Sequence, residues 1–148
     1  MANIRKIIKQ DSQSVFDMMR VFYNSLLVIS TPSDEVLRKN IEDCISDVPF
    51  VEGYVFEENN DIIGYAMVAK SYSTEFGGKC IWIEDIYIKA DYRHMGIGSQ
   101  FLTYIENQYK DKAVLMRLEA ENENEKAVAA YEKNGFSKLP YIEMIKEI

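Results

Sequence analysis

Apolar positions follow two rhythms along this chain, and the change falls near Pro49. Ahead of it, "IRKII" reads as a short strand. From Asp11 to Leu26 the residues Val15, Phe16, Met19, Phe22, Tyr23 and Leu26 recur every three or four positions, which predicts a helix. "STPSDEVLRKNIEDCIS" opens with Pro32 and acidic residues, signs of a second helix start, and Leu37, Ile41, Cys44 and Ile45 form its expected buried stripe.

Beyond Pro49 the texture becomes that of a sheet. "VEGYVFEE", "NND" and "IIGYAMVAK" predict a hairpin turning on Asn59, Asn60 and Asp61. A loop around "SYSTEFGGK" leads to the strand "CIWIEDIYIK". A glycine-containing turn follows, then a helix with Phe101, Leu102, Ile105 and Tyr109 on one face. "AVLMRLEAE" predicts a strand, and "NEKAVAAYEKNG" a helix with Asn124 as N-cap and Asn134-Gly135 as its stop. "YIEMIKEI" is expected to be a last strand. The order β-α-α-β-β-β-α-β-α-β predicts an α/β fold with a mixed sheet and helices on its faces. With no repeat, low-complexity tract or linker, residues 1–148 are expected to form a single domain.

Composition narrows the partners more than the fold. The net charge of −7 argues against nucleic acid and anionic membrane surfaces and fits a small cationic partner. "MANIRKIIKQDSQ" has no signal-peptide apolar run, and nothing approaches the ~20 apolar residues of a membrane span, so a cytoplasmic setting is expected. Cys44 and Cys80, far apart in apolar surroundings, read as free thiols; with one histidine and no CxxC pair, no metal site is expected.

The chemistry concentrates in "DYRHMGIGSQFL", where Arg93, Gly96 and Gly98 stand at R-x-x-G-x-G spacing before a helix. A P-loop would need G-x-x-x-x-G-K-[ST], which no segment supplies, and a dinucleotide turn would need a small residue where Phe101 stands. What remains is a nest of backbone amides at a helix N-terminus, a setting that holds a pyrophosphate without a lysine. Such a turn also serves as a plain structural cap, and the segment alone leaves both uses open.

"IEDIYIKADYRHMGIGSQFL" and "NEKAVAAYEKNGF" together resemble the GCN5-related N-acetyltransferases (GNAT), with the element order matching over essentially the whole domain. The first stretch is most similar to the diamine and polyamine acetyltransferase branch, where a Glu-Asp pair, here Glu84 and Asp85, precedes the Asp-Tyr-Arg approach to the glycine loop. His94 departs from the glycine many members carry there. The resemblance implies a single-domain fold whose mixed, mostly antiparallel sheet is splayed between two strands. It implies acetyl-CoA as cosubstrate, a small-molecule amine as acceptor, direct attack in a ternary complex, and a homodimer. It carries coenzyme binding to Ile86, Tyr87, Ile88, Arg93, His94, Met95, Gly96, Ile97, Gly98, Ser99, Asn124 and Lys133, with Ile86 and Ile88 acting through their backbone.

Tyr131 matches the family's tyrosine near the coenzyme sulfur and is the candidate general acid; a phenol with a pKa near 10 is protonated at neutral pH. Its other reading is packing against Ala127, Ala130 and Phe136. Glu84 is the candidate base, through a water, and both Glu84 and Asp85 are candidate acceptor anchors. Adjacent strand residues point to opposite faces, so the pair reaches one pocket only if a bulge intervenes. Glu119, Glu121 and Glu123 either extend an acidic field or form a solvated loop. Lys133 either meets the coenzyme's 3′-phosphate or caps its helix. A diamine or polyamine is the favoured acceptor; aminoglycosides, amino acids and protein amines stay open, as does a non-catalytic acetyl-CoA sensor.

Overall fold

The computed structural model describes residues 1–25 and 29–148. In order they form β1 (Asn3–Lys6), α1 (Ser12–Tyr23), α2 (Asp34–Ile45), β2 (Val51–Glu58), β3 (Asp61–Ser73), β4 (Gly78–Ile88), α3 (Ile97–Tyr109), β5 (Leu115–Leu118) and α4 (Glu125–Lys133), with short 3₁₀ turns at Lys9–Asp11 and Ala90–Tyr92. The expected end of the first helix at Leu26 lies outside the described residues.

The five strands lie in chain order, β1-β2-β3-β4-β5. Three junctions are antiparallel and the last, β4 to β5, is parallel. A parallel pair needs a crossover, and α3 supplies it. This is the mixed, mostly antiparallel sheet expected. Helices cover both faces. Val55, Tyr65 and Met67 pack with Val15, Met19, Leu37 and Ile41 of α1 and α2. Their neighbours Tyr54, Phe56, Ala66 and Val68 pack with Phe101, Leu102 and Ile105 of α3. That alternation is the period-two rule of a strand buried on both sides.

Local chemistry sets the element ends. Asn59 and Asn60 both take positive φ (52° and 67°), the two-residue hairpin turn between Glu58 and Asp61. Ser33 caps α2 by accepting from the Val36 amide at 3.3 Å. α4 starts on Asn124, whose side chain accepts from the Ala127 amide at 3.2 Å. It ends on Gly135, with Gly135 donating to Glu132 and Phe136 donating to Tyr131, the two bonds of a Schellman stop.

Three expectations are corrected. β3 and β4 run through most of the expected "SYSTEFGGK" loop, because Ser71, Tyr72 and Ser73 pair with Cys80, Lys79 and Gly78. Ile45, at the end of α2, is 38% exposed, so the buried stripe of that helix rests on Leu37 and Ile41. Residues 137–148 form no strand and are exposed throughout. Among the described residues no helix is long and apolar enough to cross a membrane.

Candidate active site

β4 holds the centre of the site, and its shape follows from one extra residue. Met67 of β3 faces Asp85 and Val68 faces Ile83, so Glu84 has no partner and forms a bulge. Ile83 and Ile86 both pack on the α3 side. Asp85 turns to the α1 side, where it accepts from the Tyr23 hydroxyl at 2.7 Å and the Tyr65 hydroxyl at 3.0 Å. The charge of Glu84 also acts on Tyr23. The bulge thus breaks the strict alternation that would set the two carboxylates on opposite faces.

Their surroundings differ. Asp85 is 2% exposed; burial pushes its carboxyl up, and the two phenol bonds offset part of that. With both oxygens bonded to tyrosines, it lies beneath the site rather than at its mouth. Glu84 is exposed at one edge, and desolvation with repulsion from Asp85 and Glu143 holds its carboxyl above the usual range. Glu119, just past β5, is raised by desolvation, by Glu143 and by Glu84. Leu118 pairs with Ile83, so Glu119 and Glu84 follow side by side at the end of that ladder, and Glu143 acts on both carboxyls as a third acid of the cluster. Glu121 and Glu123 are exposed on the following loop.

Beside this cluster the sheet opens. The ladder between β4 and β5 runs from Cys80 and Leu115 to Ile83 and Leu118 and stops there, while β4 continues to Ile88. Lys89 donates to the Ile63 carbonyl at 2.9 Å. By antiparallel alternation Tyr87 and Asp85 then bond toward β3, and Ile86 and Ile88 turn their polar backbone groups to the open side. The Ile88 carbonyl already accepts from Arg93 Nε at 2.8 Å, and the same guanidinium lies 5.7 Å from the Tyr87 ring centroid. Arg93 fastens the strand end to the turn.

After Arg93, His94 (φ 64°) and Gly96 (φ 79°) curl the backbone into the start of α3. The first helical bond is Gln100 to the Gly96 carbonyl. Among the described residues none of the amides from His94 to Ser99 has a protein partner. A Cβ on Gly98 would meet only the tip of Ile88, at 3.9 Å. Nothing within the chain crowds this glycine, so a ligand can approach it closely. Met95 is exposed, and Ile97 is buried against the core as the helix anchor.

α4 closes the site from the other side. Its C-cap residue Asn134 donates to Ser99 Oγ at 3.0 Å, tying its end to the start of α3 and bringing Lys133 into the last turn there. Tyr131 packs against the same α3-side cluster as Ile86, Ile88 and Leu118. Its ring meets Phe136 edge-on at 6.1 Å between centroids, the contact that accompanies the Schellman stop and sets its direction. Burial raises the phenol's pKa. Among the described residues no group bonds its hydroxyl. Both thiols are also held protonated: burial pushes Cys44 up to about 12 and raises Cys80 as well.

Tyr23 and Tyr65 were not among the sequence's candidates. The pairs lie 62 and 20 residues from Asp85, and only an unpaired acid on a buried strand hinted at them. Glu143 was missed because its segment was read as a regular strand.

The sequence and the fold of this chain both have counterparts among known proteins. The acetyltransferase (GNAT) family matches residues 14–136. A thialysine N-epsilon-acetyltransferase of Bos taurus is 32% identical over 116 residues, 72% of this chain and 66% of its own length. The Sus scrofa protein of the same name is 31% identical over 143 residues, 89% of this chain and 82% of its own. Among solved structures, a possible acetyltransferase from Clostridium difficile 630 superposes with a TM-score of 0.85 at 23% identity, covering 100% of this chain and 98% of the other. AAC(6')-Iy in complex with the bisubstrate analog CoA-S-monomethyl-acetylneamine shares the fold at a TM-score of 0.83 and 13% identity, over 100% and 99% of the two chains. This chain belongs to the acetyltransferase (GNAT) family.

Proposed function

We propose that the enzyme transfers acetyl from acetyl-CoA to a primary amine of a small cationic acceptor, with a diamine or polyamine favoured. The observation that carries this reading is the convergence of Glu84, Glu119 and Glu143 beside the split between β4 and β5. Like charges raise one another's pKa, and a cation relieves that repulsion. Two relatives named for N-epsilon acetylation of thialysine support an amine at the end of a cationic chain.

The site fits acetyl-CoA on its own geometry. The partnerless amides from His94 to Ser99 suit a pyrophosphate, Gly98 leaves room for it, and Ile86 and the Ile88 amide offer the sheet-like bonds a pantetheine arm needs. Arg93 and Tyr87 brace the turn, Met95 and Ile97 flank it, Asn124 caps the helix bearing Tyr131, and Lys133 adds charge near the nest. When bound, acetyl-CoA supplies an acetyl group activated as a thioester.

The chain's own residues then manage protons. Glu84, through a water, takes the proton of the incoming ammonium; its raised pKa brings it closer to neutrality and makes it a better base. Tyr131, protonated at neutral pH, donates to the departing sulfur. The Ile86 amide, fixed before reaction, faces the developing oxyanion. Asp85 acts as a positioning residue through Tyr23 and Tyr65. Neither cysteine is ionised, which favours direct attack by the amine over a thioester on the enzyme. We further infer a cytoplasmic homodimer.

Thiol release from acetyl-CoA against diamines, polyamines, thialysine, aminoglycosides and peptides tests this. Release with the aliphatic polycations, weakened by Glu119→Gln, is the expected result. Turnover confined to another amine class would replace the acceptor, and saturable coenzyme binding without release would make the chain a sensor.

A further inference from the structure

Leu115, Arg117 and Glu119 stand in one row. Met116 and Leu118 pack into the α3-side cluster, so by strand alternation the residues between them face the other side of the sheet. Arg117 pairs with Trp82 in the ladder, and its guanidinium lies over the Trp82 ring, 4.5 Å from the centroid. Stacking fixes the plane of the fork and leaves its N–H donors free at the edges. Arg117 has no ion-pair partner among the described residues. Its charge does act on Glu119, yet desolvation, Glu143 and Glu84 outweigh it and hold that carboxyl above the usual range. The guanidinium is therefore an unanswered cation in a chain of net charge −7.

A groove of about 290 Å³ opens beside it. Leu115 and Arg117 form one wall, Leu139 and Tyr141 the other, and Phe76 lines the end where β4 begins. The Tyr141 hydroxyl donates to Glu75 at 3.2 Å, which holds the second wall in place. Both walls run on to the acidic cluster, the first to Glu119 and the second to Glu143. The groove thus has an apolar body, one cation on its wall and carboxylates at its far end. Its volume is at the lower bound of ligand pockets, about 300 Å³. That suits an acceptor of amino-acid size and leaves no room for a multi-ring one.

We propose that this groove is the acceptor subsite, and that the acceptor is an aliphatic primary amine with a carboxylate at its other end, which Arg117 binds. The proposal rests on the amine-acetyltransferase reading and narrows its cationic acceptors to diamino acids. Two strand positions separate Arg117 from Glu119, about 7 Å. A saturated chain with bonds of about 1.5 Å covers that span in roughly five or six bonds, the separation of terminal amine and carboxylate in ornithine and lysine. The terminal ammonium then meets Glu84 and Glu119 beside the split strands, and the carboxylate meets the guanidinium fork. A simple diamine satisfies the acid end but sets its second ammonium against the like charge of Arg117.

Thiol release from acetyl-CoA, measured with each diamino acid and its decarboxylated twin, tests this: lysine against cadaverine, ornithine against putrescine. The expected result is a kcat/KM at least tenfold higher for the acid of each pair, carried mainly by KM. Arg117→Gln should bring that ratio to near one. Arg117→Lys, which keeps the charge but not the fork, should restore part of it. Far-UV circular dichroism checks that both variants fold, and the wild-type ratio needs no variant. Diamines used as well as their acids by the wild type overturn the carboxylate subsite and leave the acetyltransferase standing. A preference that survives Arg117→Gln overturns the role of Arg117. Release confined to unrelated amines overturns the subsite alone, and no release with any amine overturns the acetyltransferase reading and this proposal together.

Discussion

The part of the molecule under α1 and α2 is closed, and the part reaching β5 and α4 is open. In the first, Val15, Met19, Leu37, Val55 and Tyr65 have no solvent exposure. In the second, β5 is half-buried, α4 has no fully buried residue, and six backbone amides lack partners among the described residues. A closed core holds side chains to fractions of an ångström, which suits the Asp85–Tyr23–Tyr65 floor. Open edges keep backbone groups available, which suits a coenzyme. Precision and receptivity are thus assigned to opposite ends of one sheet.

The strongest way to break that contrast is to make the same deletion on both sides. Leu37→Ala should cost about 3–4 kcal/mol in urea unfolding, because its cavity cannot collapse. Leu115→Ala should cost about 1 kcal/mol in the same assay, since much of that side chain is already in water. Equal costs would mean that β5 is as well covered as the face under α1 and α2.

Next comes Tyr131→Phe, which should lower kcat roughly 100-fold, about 2.7 kcal/mol. Coenzyme affinity by calorimetry and the melting temperature should hardly move. A parallel loss of coenzyme binding would make the ring a packing residue and leave the phenol no role.

The pH dependence sharpens the contrast with smaller effects. Glu84 acts only when ionised, and its pKa is raised, so the acid limb of kcat/KM should lie above the ordinary carboxylate value near 4.3. Glu84→Gln should remove that limb and cost about tenfold. Stability runs the other way at Glu52 of β2, which sits on the α3-facing side with Tyr54 and Tyr109. Burial works against Glu52, but bonds from Lys70, Tyr54 and Tyr109 hold it down to about 2. Because the unfolded form binds its proton first, the stability Glu52 contributes is complete above its unfolded value near 4.5. It is lost as pH falls from there toward 2, visible as a falling urea midpoint. The smallest effect belongs to His94, held at a φ of 64° that glycine adopts freely. His94→Gly should leave stability within about 1 kcal/mol, gaining if relieved strain outweighs added chain entropy.

What the sequence disclosed depended on distance along the chain. The asparagine turn, the Asn124 cap and the Gly135 stop are local chemistry, and each stands where its residues placed it. The bulge was legible as a conflict, two acids in succession on an apolar strand. Tyr23 and Tyr65 were not, since nothing local marks a tyrosine as the partner of an acid far off in the chain. The tail was misread for a related reason: its apolar and β-branched residues have the composition of a strand, and composition says nothing of whether a matching edge lies within reach.

Glu84 has a further consequence, concerning how β4 counts. The sheet sorts residues by parity, and Glu84 is the one position in β4 that the ladder with β3 skips. Remove it and Ile83 would be followed by Asp85 and Ile86 in the order of faces they already have. Met67 and Val68 would keep their partners. The architecture therefore has no use for this residue; it is a supernumerary carried for its side chain and for the bend it puts in the strand. A variant lacking Glu84 altogether should be a better-formed sheet and a poorer enzyme.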